Sequence, residues 1–340
     1  MWHHSKAQAV EGTAGNLQNN QVGVPEAVPA TYGWLHAGMQ IGVAQPGFSG
    51  ALVWKATGKD RSYALKRWPT GQPAYFDLPT IHRLMFQARQ AGLSCIPEVQ
   101  RTMGGDSVLS FEGVSWDACT WQPGLPQMQP TDEQLKRAVQ LLSRLHAIWR
   151  TGNETRFDIC PAVALQHRRL MAWTTGELEQ LRHQAPIAGI YREAVALFDQ
   201  LRLQTIHRLE PWLTVRVSLH PCLGDVWAEH VLFEQDQIAG LIDFGGMRYD
   251  HPSQDLARLI GSYTQGNAVR RQSALASYLP RTPELESLAI LLDDCGAIVG
   301  LGNWLRWLLL EGRVFANHAG AINRLQLLLN RLTNMKNSYL

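Results

Sequence analysis

Residues 219–258 decide the fold of this chain, and their sequence is L-H-P-C-L-G-D-V-W-A-E-H-V-L-F-E-Q-D-Q-I-A-G-L-I-D-F-G-G-M-R-Y-D-H-P-S-Q-D-L-A-R. Two carboxylates in this stretch, Asp225 and Asp243, each lie at the edge of an apolar run. Between them, the apolar residues 231–233 and 238–242 are typical of two short strands joined by a turn. The stretch therefore predicts a hairpin with one acid on each flank.

The predicted hairpin brings the two acids to one small volume, because the flanks of a short antiparallel hairpin lie side by side. Paired carboxylates suit the binding of a divalent metal ion next to a reacting hydroxyl group. Transfer of a phosphoryl group depends on positioning and charge neutralisation of this kind. The acid pair therefore favours phosphoryl-transfer chemistry.

The same segment resembles the catalytic and metal loops of the aminoglycoside phosphotransferase family, whose members have a protein-kinase-like fold. The family motifs H-G-D-x-x-x-x-N, I-D-F/W and P-x-x-D-L-A have counterparts at residues 223–230, 242–244 and 252–257, in the same order. Two residues depart from the pattern. Leu223 stands where the family has histidine, and His230 stands where the family has its metal-binding asparagine.

The N-terminal half predicts a three-stranded meander, with strands at residues 39–45, 51–56 and 62–68. The turn between the first two strands carries Gly47 and Gly50. Glycine lets backbone N–H groups approach a polyphosphate closely, so both glycines are candidates for covering the phosphates of a nucleotide.

The third predicted strand holds Tyr63-Ala64-Leu65-Lys66, which resembles the V-A-I-K strand of kinases. Alternation along a strand places Ala64 and Lys66 on one face. The small side chain of Ala64 leaves room for an adenine ring, and the ammonium group of Lys66 can reach the α- and β-phosphates. Both residues are therefore predicted to contact a nucleotide.

A helix is predicted at about residues 78–91, ended by Gly92. In active kinases this helix carries a glutamate that pairs with the strand lysine, but residues 79–90 contain no acid. His82 lies near the expected position of that glutamate. A neutral histidine can accept a hydrogen bond from Lys66 but cannot neutralise its charge.

Two further strands are predicted at residues 107–111 and 115–121. In the family such a strand leads into the hinge between the lobes, so the resemblance implies that the backbone from Cys119 to Trp121 pairs with adenine. Past the hinge the chain is helical apart from residues 219–258, and His146 is interpreted as a packing residue. The predicted helices cover about residues 131–149, 161–183, 189–209, 256–263, 274–278, 283–310 and 321–333.

These elements predict an α+β, protein-kinase-like fold of two lobes. Residues 1–32, rich in Gln, Asn, Ala, Gly and Pro, are predicted to form a mobile polar extension. Residues 33–121 are predicted to form the N-lobe, an antiparallel sheet with one helix. Residues 122–340 are predicted to form a mainly helical C-lobe that carries the catalytic and metal loops.

Composition places the chain among ordinary globular proteins. Its 340 residues, 45% of them hydrophobic, suffice for two lobes with a core each. A net charge of +2 gives no indication of nucleic acid or membrane binding. Five scattered cysteines without a C-x-x-C pair favour a reducing compartment, and no apolar signal-peptide segment is evident. We therefore expect a cytoplasmic protein.

The resemblance implies a kinase that moves the γ-phosphoryl group of ATP to a hydroxyl group of a small molecule, with Mg²⁺ or Mn²⁺. Asp225 would accept or orient the acceptor hydroxyl, Asp243 would hold the metal ion, and Lys66 would clamp the phosphates. Asp255 and Arg258 would brace the metal loop. The acceptor has no motif, since acceptor choice in the family lies in variable helical residues.

His230 leaves two interpretations open. Asparagine offers Mg²⁺ a hard carbonyl oxygen, whereas imidazole is a softer ligand that suits transition metals better. One interpretation is a kinase that uses a single Mg²⁺ on Asp243, or that prefers Mn²⁺ with His230 as a second ligand. The other is a pseudokinase, a nucleotide-binding or regulatory and scaffolding module without catalysis, for which a protein partner is possible. Leu223, His230 and the helix without glutamate would then mark lost catalysis.

Overall fold

The computed structural model describes residues 23–34, 38–46, 50–150, 155–187, 189–315 and 317–337. In this part of the chain, a six-stranded antiparallel sheet with one long helix precedes a larger and mainly helical region. The predicted α+β fold of two lobes is confirmed. Most of the predicted extension, residues 1–22, and Gly47 of the predicted glycine turn lie outside the described residues.

The N-lobe sheet consists of β1 (Gln40–Ile41), β2 (Gln45–Pro46), β3 (Leu52–Thr57), β4 (Ser62–Arg67), β5 (Leu109–Phe111) and β6 (Val114–Thr120). Its strands run in the order β1-β3-β4-β6-β5, and β2 also pairs with β3. Alternation is clear in β3, where Trp54 and Ala56 are buried and Lys55 between them is exposed. The single strand predicted at residues 39–45 is broken at Gly42, since glycine weakens a strand interior.

The chain just before the sheet packs onto it. Helix α1 (Ala27–Thr31) buries Val28 completely. The Tyr32 ring stacks on Trp34 at a centroid distance of 5.0 Å, and Trp34 stacks on Tyr63 of β4 at 5.3 Å. These apolar side chains belong to the N-lobe core, which corrects the prediction that the whole segment is a mobile extension.

Helix α2 (Leu78–Gln90) joins the two lobes through one hydrophobic core. Asp77 caps its N-terminus by accepting a hydrogen bond of 2.9 Å from a backbone N–H of the first turn. Its buried face packs against α3 (Asp132–Arg150), where Trp149 Nε1 donates to the carbonyl oxygen of Leu84 at 3.0 Å. The helix predicted here is confirmed, and its apolar stripe connects sheet and C-lobe.

The remaining α-helices of the described C-lobe are α4 (Pro161–Met171), α5 (Thr175–Gln184), α6 (Ile190–Leu209), α7 (Ser253–Thr264), α8 (Ala268–Leu275), α9 (Pro283–Leu305) and α10 (His318–Asn337). The helix predicted at residues 161–183 is two helices, because Thr174 opens α5 with a capping box. The helix predicted at residues 274–278 begins earlier, since Asn267 caps α8. After α9, residues Arg306–Leu310 form a π-helical turn. Within the described ranges, no helix has the length and apolar composition needed to cross a bilayer.

Two three-stranded sheets in the C-lobe position the loops that carry the predicted acids. The predicted hairpin is confirmed, with Val231 opposite Leu241. The other sheet was not predicted, because short strands of mixed polarity that pair over long sequence distances carry no periodic signal. The strands are β7 (Leu125–Pro126), β10 (Val231–Glu234) and β11 (Gln237–Leu241) in the first sheet, and β8 (Arg156–Ile159), β9 (Arg216–Cys222) and β12 (Arg248–Asp250) in the second.

Candidate active site

The loops that carry Asp225 and Asp243 meet because the strands next to them pair. Strand β9 ends just before the first loop, β12 begins just after the second, and the two strands are antiparallel neighbours. The loops then touch through their backbones at two glycines. A Cβ on Gly224, whose φ is +75°, would lie 2.2 Å from the carbonyl oxygen of Gly246. The structure thus places the two acid-bearing loops in direct contact.

Asp255 holds the first of these loops from inside the C-lobe. Its fully buried carboxylate accepts hydrogen bonds from the N–H groups of Leu223 at 2.6 Å and Gly224 at 2.7 Å. His146 Nε2 lies 3.0 Å from the same carboxylate, and its Nδ1 lies 2.8 Å from the Tyr278 hydroxyl. Burial tends to raise the pKa of Asp255, but His146 and the two N–H donors outweigh it and lower that pKa. Asp255 therefore braces the Asp225 loop, which corrects the prediction that it braces the loop of Asp243.

The ion pair of Asp243 and Lys66 connects the Asp243 loop to the sheet. Lys66 Nζ lies 3.4 Å from Asp243 Oδ1, and Gly245 N approaches the same oxygen at 3.4 Å. Burial tends to raise the pKa of Asp243, yet Lys66 and His230 bring it below its ordinary value. These contacts are long and the side chain is 47% exposed, so the carboxylate keeps lone pairs for a cation.

Asp117 of β6 is an acid that contacts α2 through His82. Its carboxylate accepts a hydrogen bond from Trp68 Nε1 at 3.1 Å and lies 2.9 Å from His82 Nε2 of α2. Asp117 is also the cross-strand partner of Lys66, whose Nζ lies 3.7 Å from the centroid of the Trp68 ring. His82 therefore contacts Asp117, whereas Lys66 contacts Asp243. An acid in the middle of the predicted strand was the available signal for this residue.

Asp225 is held by two side chains that follow it in the sequence. Trp227 Nε1 donates a hydrogen bond of 2.6 Å to Oδ1, and Arg258 Nη1 of α7 lies 3.2 Å from the same oxygen. The Arg258 guanidinium also lies over the Trp227 ring, 4.6 Å from its centroid. Among the described residues both polar contacts fall on Oδ1, which leaves Oδ2 able to accept a proton. Sequence reasoning assigned Arg258 to the metal loop and missed Trp227.

The predicted nucleotide-binding side chains share one face of the N-lobe sheet. Ala64 and Lys66 lie two residues apart in β4 and therefore share a face of the sheet. Cys119 of β6 is the cross-strand partner of Ala64. Burial, together with Asp117, raises the pKa of the Cys119 thiol to about 12, so the thiol is neutral. Gly50 has a φ of +81°, a left-handed conformation that favours glycine.

The backbone at the end of β6 is already used within the sheet. Thr120 N donates to the carbonyl oxygen of Glu98 at 2.9 Å, and Trp121 N donates to that of Ser62 at 2.9 Å. The predicted adenine contact from this stretch is therefore not available through these two N–H groups. The Trp121 ring lies beneath the Lys55 ammonium group at 4.8 Å, which covers its face from one side.

His230 precedes the hairpin that leads to Asp243. Its Nε2 lies 3.9 Å from Asp243 Oδ2, and its Nδ1 is buried with no hydrogen-bond partner in the described part of the chain. Two cis ligands of an octahedral ion lie about 3 Å apart, so the two side chains must approach each other by about 1 Å to share one ion. The pair offers one nitrogen and one oxygen.

A family model described as "Phosphotransferase enzyme family" (APH) matches residues 43–291. The chain belongs to this family. Its members carry a protein-kinase-like fold, as the sequence motifs predicted. No curated protein matches the chain in sequence.

Solved structures of phosphotransferases share this fold. An aminoglycoside phosphotransferase from Alicyclobacillus acidocaldarius is 17% identical with a TM-score of 0.59, over 93% of this chain and 96% of that chain. A spectinomycin phosphotransferase solved with ADP and spectinomycin is 15% identical with a TM-score of 0.54, over 87% and 94%. An amicoumacin kinase solved with AMP-PNP and Ca²⁺ is 12% identical with a TM-score of 0.56, over 83% and 86%. These similarities establish the fold.

The match to the phosphotransferase family ends inside α9, at residue 291. The remainder of α9 and all of α10 lie beyond it, and together with α7 they line a cavity of about 190 Å³. Trp227 and Arg258 form part of its wall. A molecule in this cavity would touch the two side chains that hold Asp225.

A buried cluster below the first loop is structural. The ligating atoms of His146, Cys222 and Asp255 lie within 4.8 Å of one another. The Asp255 oxygens already accept two backbone N–H groups, and Cys222 Sγ donates to the carbonyl oxygen of Asp250 at 3.4 Å. These side chains are hydrogen-bonded to the protein, so we assign them to the brace of the Asp225 loop.

Proposed function

We propose that the protein transfers the γ-phosphoryl group of ATP to a hydroxyl group of a small molecule. Two contacts carry this proposal. Lys66 forms an ion pair with Asp243, and the Asp243 loop touches the Asp225 loop through its backbone. The Lys66 ammonium group on β4 thus lies next to the loop of Asp243, and the loop of Asp225 adjoins it, which supports roles for them as phosphate clamp, metal ligand and base. Enzymes catalyse phosphoryl transfer largely through positioning and charge of this kind.

Asp225 is the base in the proposed reaction. Its Oδ2 takes the proton of the acceptor hydroxyl as that oxygen bonds to the γ-phosphorus and the bond to ADP breaks. Trp227 and Arg258 orient the carboxylate through Oδ1. Lys66 would leave Asp243 for the phosphates once nucleotide is bound, since both contacts use the same ammonium group.

Asp243 is the residue proposed to hold Mg²⁺, with Mn²⁺ as the alternative ion. Its carboxylate fits this role because it is half-exposed and makes only long contacts. His230 fits Mg²⁺ less well, since imidazole nitrogen is a softer ligand than an amide oxygen. A bound ion would neutralise charge on the transferring phosphates.

The nucleotide is proposed to lie along the shared face of β4 and β6, against Ala64 and Cys119, with its phosphates near Gly50. The spectinomycin phosphotransferase structure contains ADP and the amicoumacin kinase structure contains AMP-PNP, which supports a nucleotide site in this fold. The N–H groups of Thr120 and Trp121 are already hydrogen-bonded within the protein. The adenine ring would therefore pair with the backbone of the hinge beyond them.

A pseudokinase is the second candidate function, and the His230 side chain is the observation that favours it. The 3.9 Å between His230 Nε2 and Asp243 Oδ2 exceeds the roughly 3 Å that separates two cis ligands of one ion. Such a protein would bind a nucleotide, or none, and would act through a protein partner. The absence of a glutamate in α2 that could pair with Lys66 also favours a pseudokinase.

A cytoplasmic location is part of the proposal. The five cysteines are free thiols, and four of them are buried. Unpaired thiols persist in reducing compartments, where disulfides are rare.

Thermal unfolding with ATP or GTP, each with and without Mg²⁺ or Mn²⁺, tests the nucleotide site. A ligand that binds only the folded state raises the midpoint of unfolding by mass action. We expect a shift that depends on the metal ion and that disappears in Asp243→Asn. Absence of any shift with either nucleotide and either metal would reject the phosphotransferase and leave the pseudokinase.

The matched variant Asp225→Asn separates binding from catalysis. It should keep the metal-dependent shift and lose ADP formation in the presence of hydroxyl acceptors, because the amide cannot take the proton. Equal ADP formation by both proteins would remove Asp225 from the mechanism.

A further inference from the structure

The cavity beside Asp225 lies between α7, α9 and α10 and has a volume of about 190 Å³. Trp227 and Arg258 belong both to its wall and to the contacts of the Asp225 carboxylate. A molecule bound there can therefore present a hydroxyl group to Asp225. On the proposed function such a molecule is the phosphoryl acceptor, and the assignment of the cavity as acceptor site rests on that function.

Two glycines of α9 keep this cavity open. A Cβ on Gly296 would meet no atom within 4 Å, and one on Gly300 would meet only Leu328 Cδ2 at 3.9 Å. Glycine inside a helix costs about 1 kcal/mol relative to alanine, so nothing in the helix itself favours glycine here. The open volume at these positions is available to a ligand.

The charges of the cavity wall are mainly positive. Arg258, Arg324 and Arg331 line it, and Asp293 is the one acid among the described lining residues. Asp293 is in short contact with Arg331 Nη2 and lies 3.4 Å from Arg271 Nη1. Its charge is therefore compensated twice, and it has little attraction left for an ammonium group on a ligand.

Polar donors in this wall also lack acceptors. The Nε–H groups of Arg258 and Arg331 are buried without a hydrogen-bond partner in the described part of the chain. Burial, together with the Arg331 guanidinium, lowers the pKa of Arg324 to about 10, although Glu229 opposes this. The two Nε–H groups of Arg258 and Arg331 would be stabilised by an anion, which supplies charge and hydrogen-bond acceptors together.

We infer that the acceptor is an anionic alcohol, whose carboxylate or phosphate group is held by Arg324 and Arg331 while its hydroxyl group faces Asp225. In the reaction, the hydroxyl oxygen forms a bond to the γ-phosphorus and the bond from that phosphorus to the β,γ-bridging oxygen breaks. The proton passes to Asp225, and ADP leaves with the electron pair. The anionic group of the acceptor stays unchanged and serves only to position the hydroxyl.

Four probes with one six-carbon skeleton test this inference: glucuronate, glucose-6-phosphate, glucose and glucosamine. Their binding is measured by calorimetry on the protein without nucleotide, so that the result does not depend on turnover. The two anions should bind at least ~10-fold more tightly than glucose, and glucosamine should bind most weakly, because charge-assisted hydrogen bonds are stronger than neutral ones. Comparing glucuronate with glucose-6-phosphate distinguishes a carboxylate site from a phosphate site.

Two variants locate the site. Arg324→Gln should abolish the preference for the anions, whereas Arg192→Gln, which removes an equal charge from the exposed face of α6, should preserve it. Gly296→Phe should exclude all probes, because the ring occupies open volume where the chain itself meets no atom. Gly296→Ala serves as the folding control for that position.

Binding of glucose or glucosamine as tight as that of the anions would overturn the inference, and so would the absence of binding by any probe. Equal loss of the anion preference in Arg324→Gln and Arg192→Gln would overturn it too. Binding of AMP-PNP with Mg²⁺, measured on the same samples, reports on the phosphotransferase proposal separately. Anion binding without nucleotide binding would reject that proposal, whereas nucleotide binding without anion binding would reject only the acceptor class.

Discussion

Asp243 has a backbone conformation that few residues other than glycine adopt, with a φ of +63°. Asparagine and aspartate tolerate it best, and such a residue still costs about 1–3 kcal/mol, which the surroundings must offset. Here Gly245 N and Lys66 both approach Asp243 Oδ1. The strained residue is therefore held by specific contacts of its side chain. Strain of this kind is common at sites where a side chain is oriented toward a ligand.

Substitution His230→Asn should raise Mg²⁺-dependent activity. The amide offers a hard oxygen in place of a soft nitrogen, and it removes the buried Nδ1 that has no partner among the described residues. We expect the gain to be roughly tenfold or more with Mg²⁺ and smaller with Mn²⁺, in line with one improved metal ligand. Initial rates of ADP formation in each metal measure it. An equal change in both metals would argue that His230 is not a ligand.

At the scale of elements, glycines set how closely the loops approach. Gly224 and Gly246 let the Asp225 and Asp243 loops touch, and Gly124 of the hinge would place a Cβ 2.8 Å from the carbonyl oxygen of Phe233 in the hairpin. Side chains at these positions would force the elements apart. The close approach of the two loops, and of the hinge to the hairpin, thus depends on glycine at these positions.

Substitution Gly224→Ala should destabilise the fold and weaken nucleotide binding. The new methyl group meets the Gly246 carbonyl oxygen at 2.2 Å and also carries the cost of a positive φ. Gly113→Ala is the matched control, because Gly113 has a φ of +73° but no atom within 4 Å of its Cβ. The control should lose about 1–2 kcal/mol of unfolding free energy in urea, and Gly224→Ala should lose more. Equal losses would show that the contact between the loops is not tight.

At the scale of the whole molecule, two cores meet along α7 and α9. One core contains residues of α2, α3 and the Asp225 loop. The other lies among the helices from α4 to α6, α9 and α10. Between them lie the buried His220 and His251, together with His146 and its partner Asp255. Burial, together with His146, lowers the pKa of His220 to about 3 and that of His251 to about 4. The folded C-lobe therefore keeps both imidazoles neutral.

The free energy of unfolding should fall as the pH drops below about 6.5. In that range the unfolded chain protonates both histidines, whose ordinary pKa is about 6.5, and the folded chain does not. The unfolded state then binds more protons than the folded state. The free energy of unfolding therefore keeps its full value above about pH 6.5, and below that pH each histidine lowers it by up to ~1.4 kcal/mol for every unit by which the pH falls. Urea unfolding between about pH 7 and pH 5 measures this slope.

The variant His220→Gln should flatten that slope, whereas His207→Gln should leave it unchanged, because His207 is 77% exposed. Only the slope is compared, since the first substitution also changes packing. Parallel curves for His220→Gln and the parent protein would exclude His220 as a source of the pH dependence.

The sequence alone determined the fold class, the hairpin between Asp225 and Asp243, the lysine strand and helix α2. Each depends on short-range patterns: alternation along a strand, a helical apolar stripe, a cap or a turn residue. The order of the motifs along the chain then indicated the family. The predicted helix boundaries differ from the observed ones where a local cap, such as that of Thr174, interrupts an otherwise continuous helical pattern.

Only the tertiary structure decided what surrounds the acids. Asp117 meets His82 from another strand, Arg258 reaches Asp225 from the next helix, and Arg324 comes to the cavity from α10, beyond the residues matched by the family. No periodicity or spacing predicts these contacts, because they join residues far apart in the chain whose meeting depends on how helices and sheets pack. The chemistry of the acceptor site is therefore a property of packing, whereas the chemistry of the acid pair is already present in one stretch of sequence.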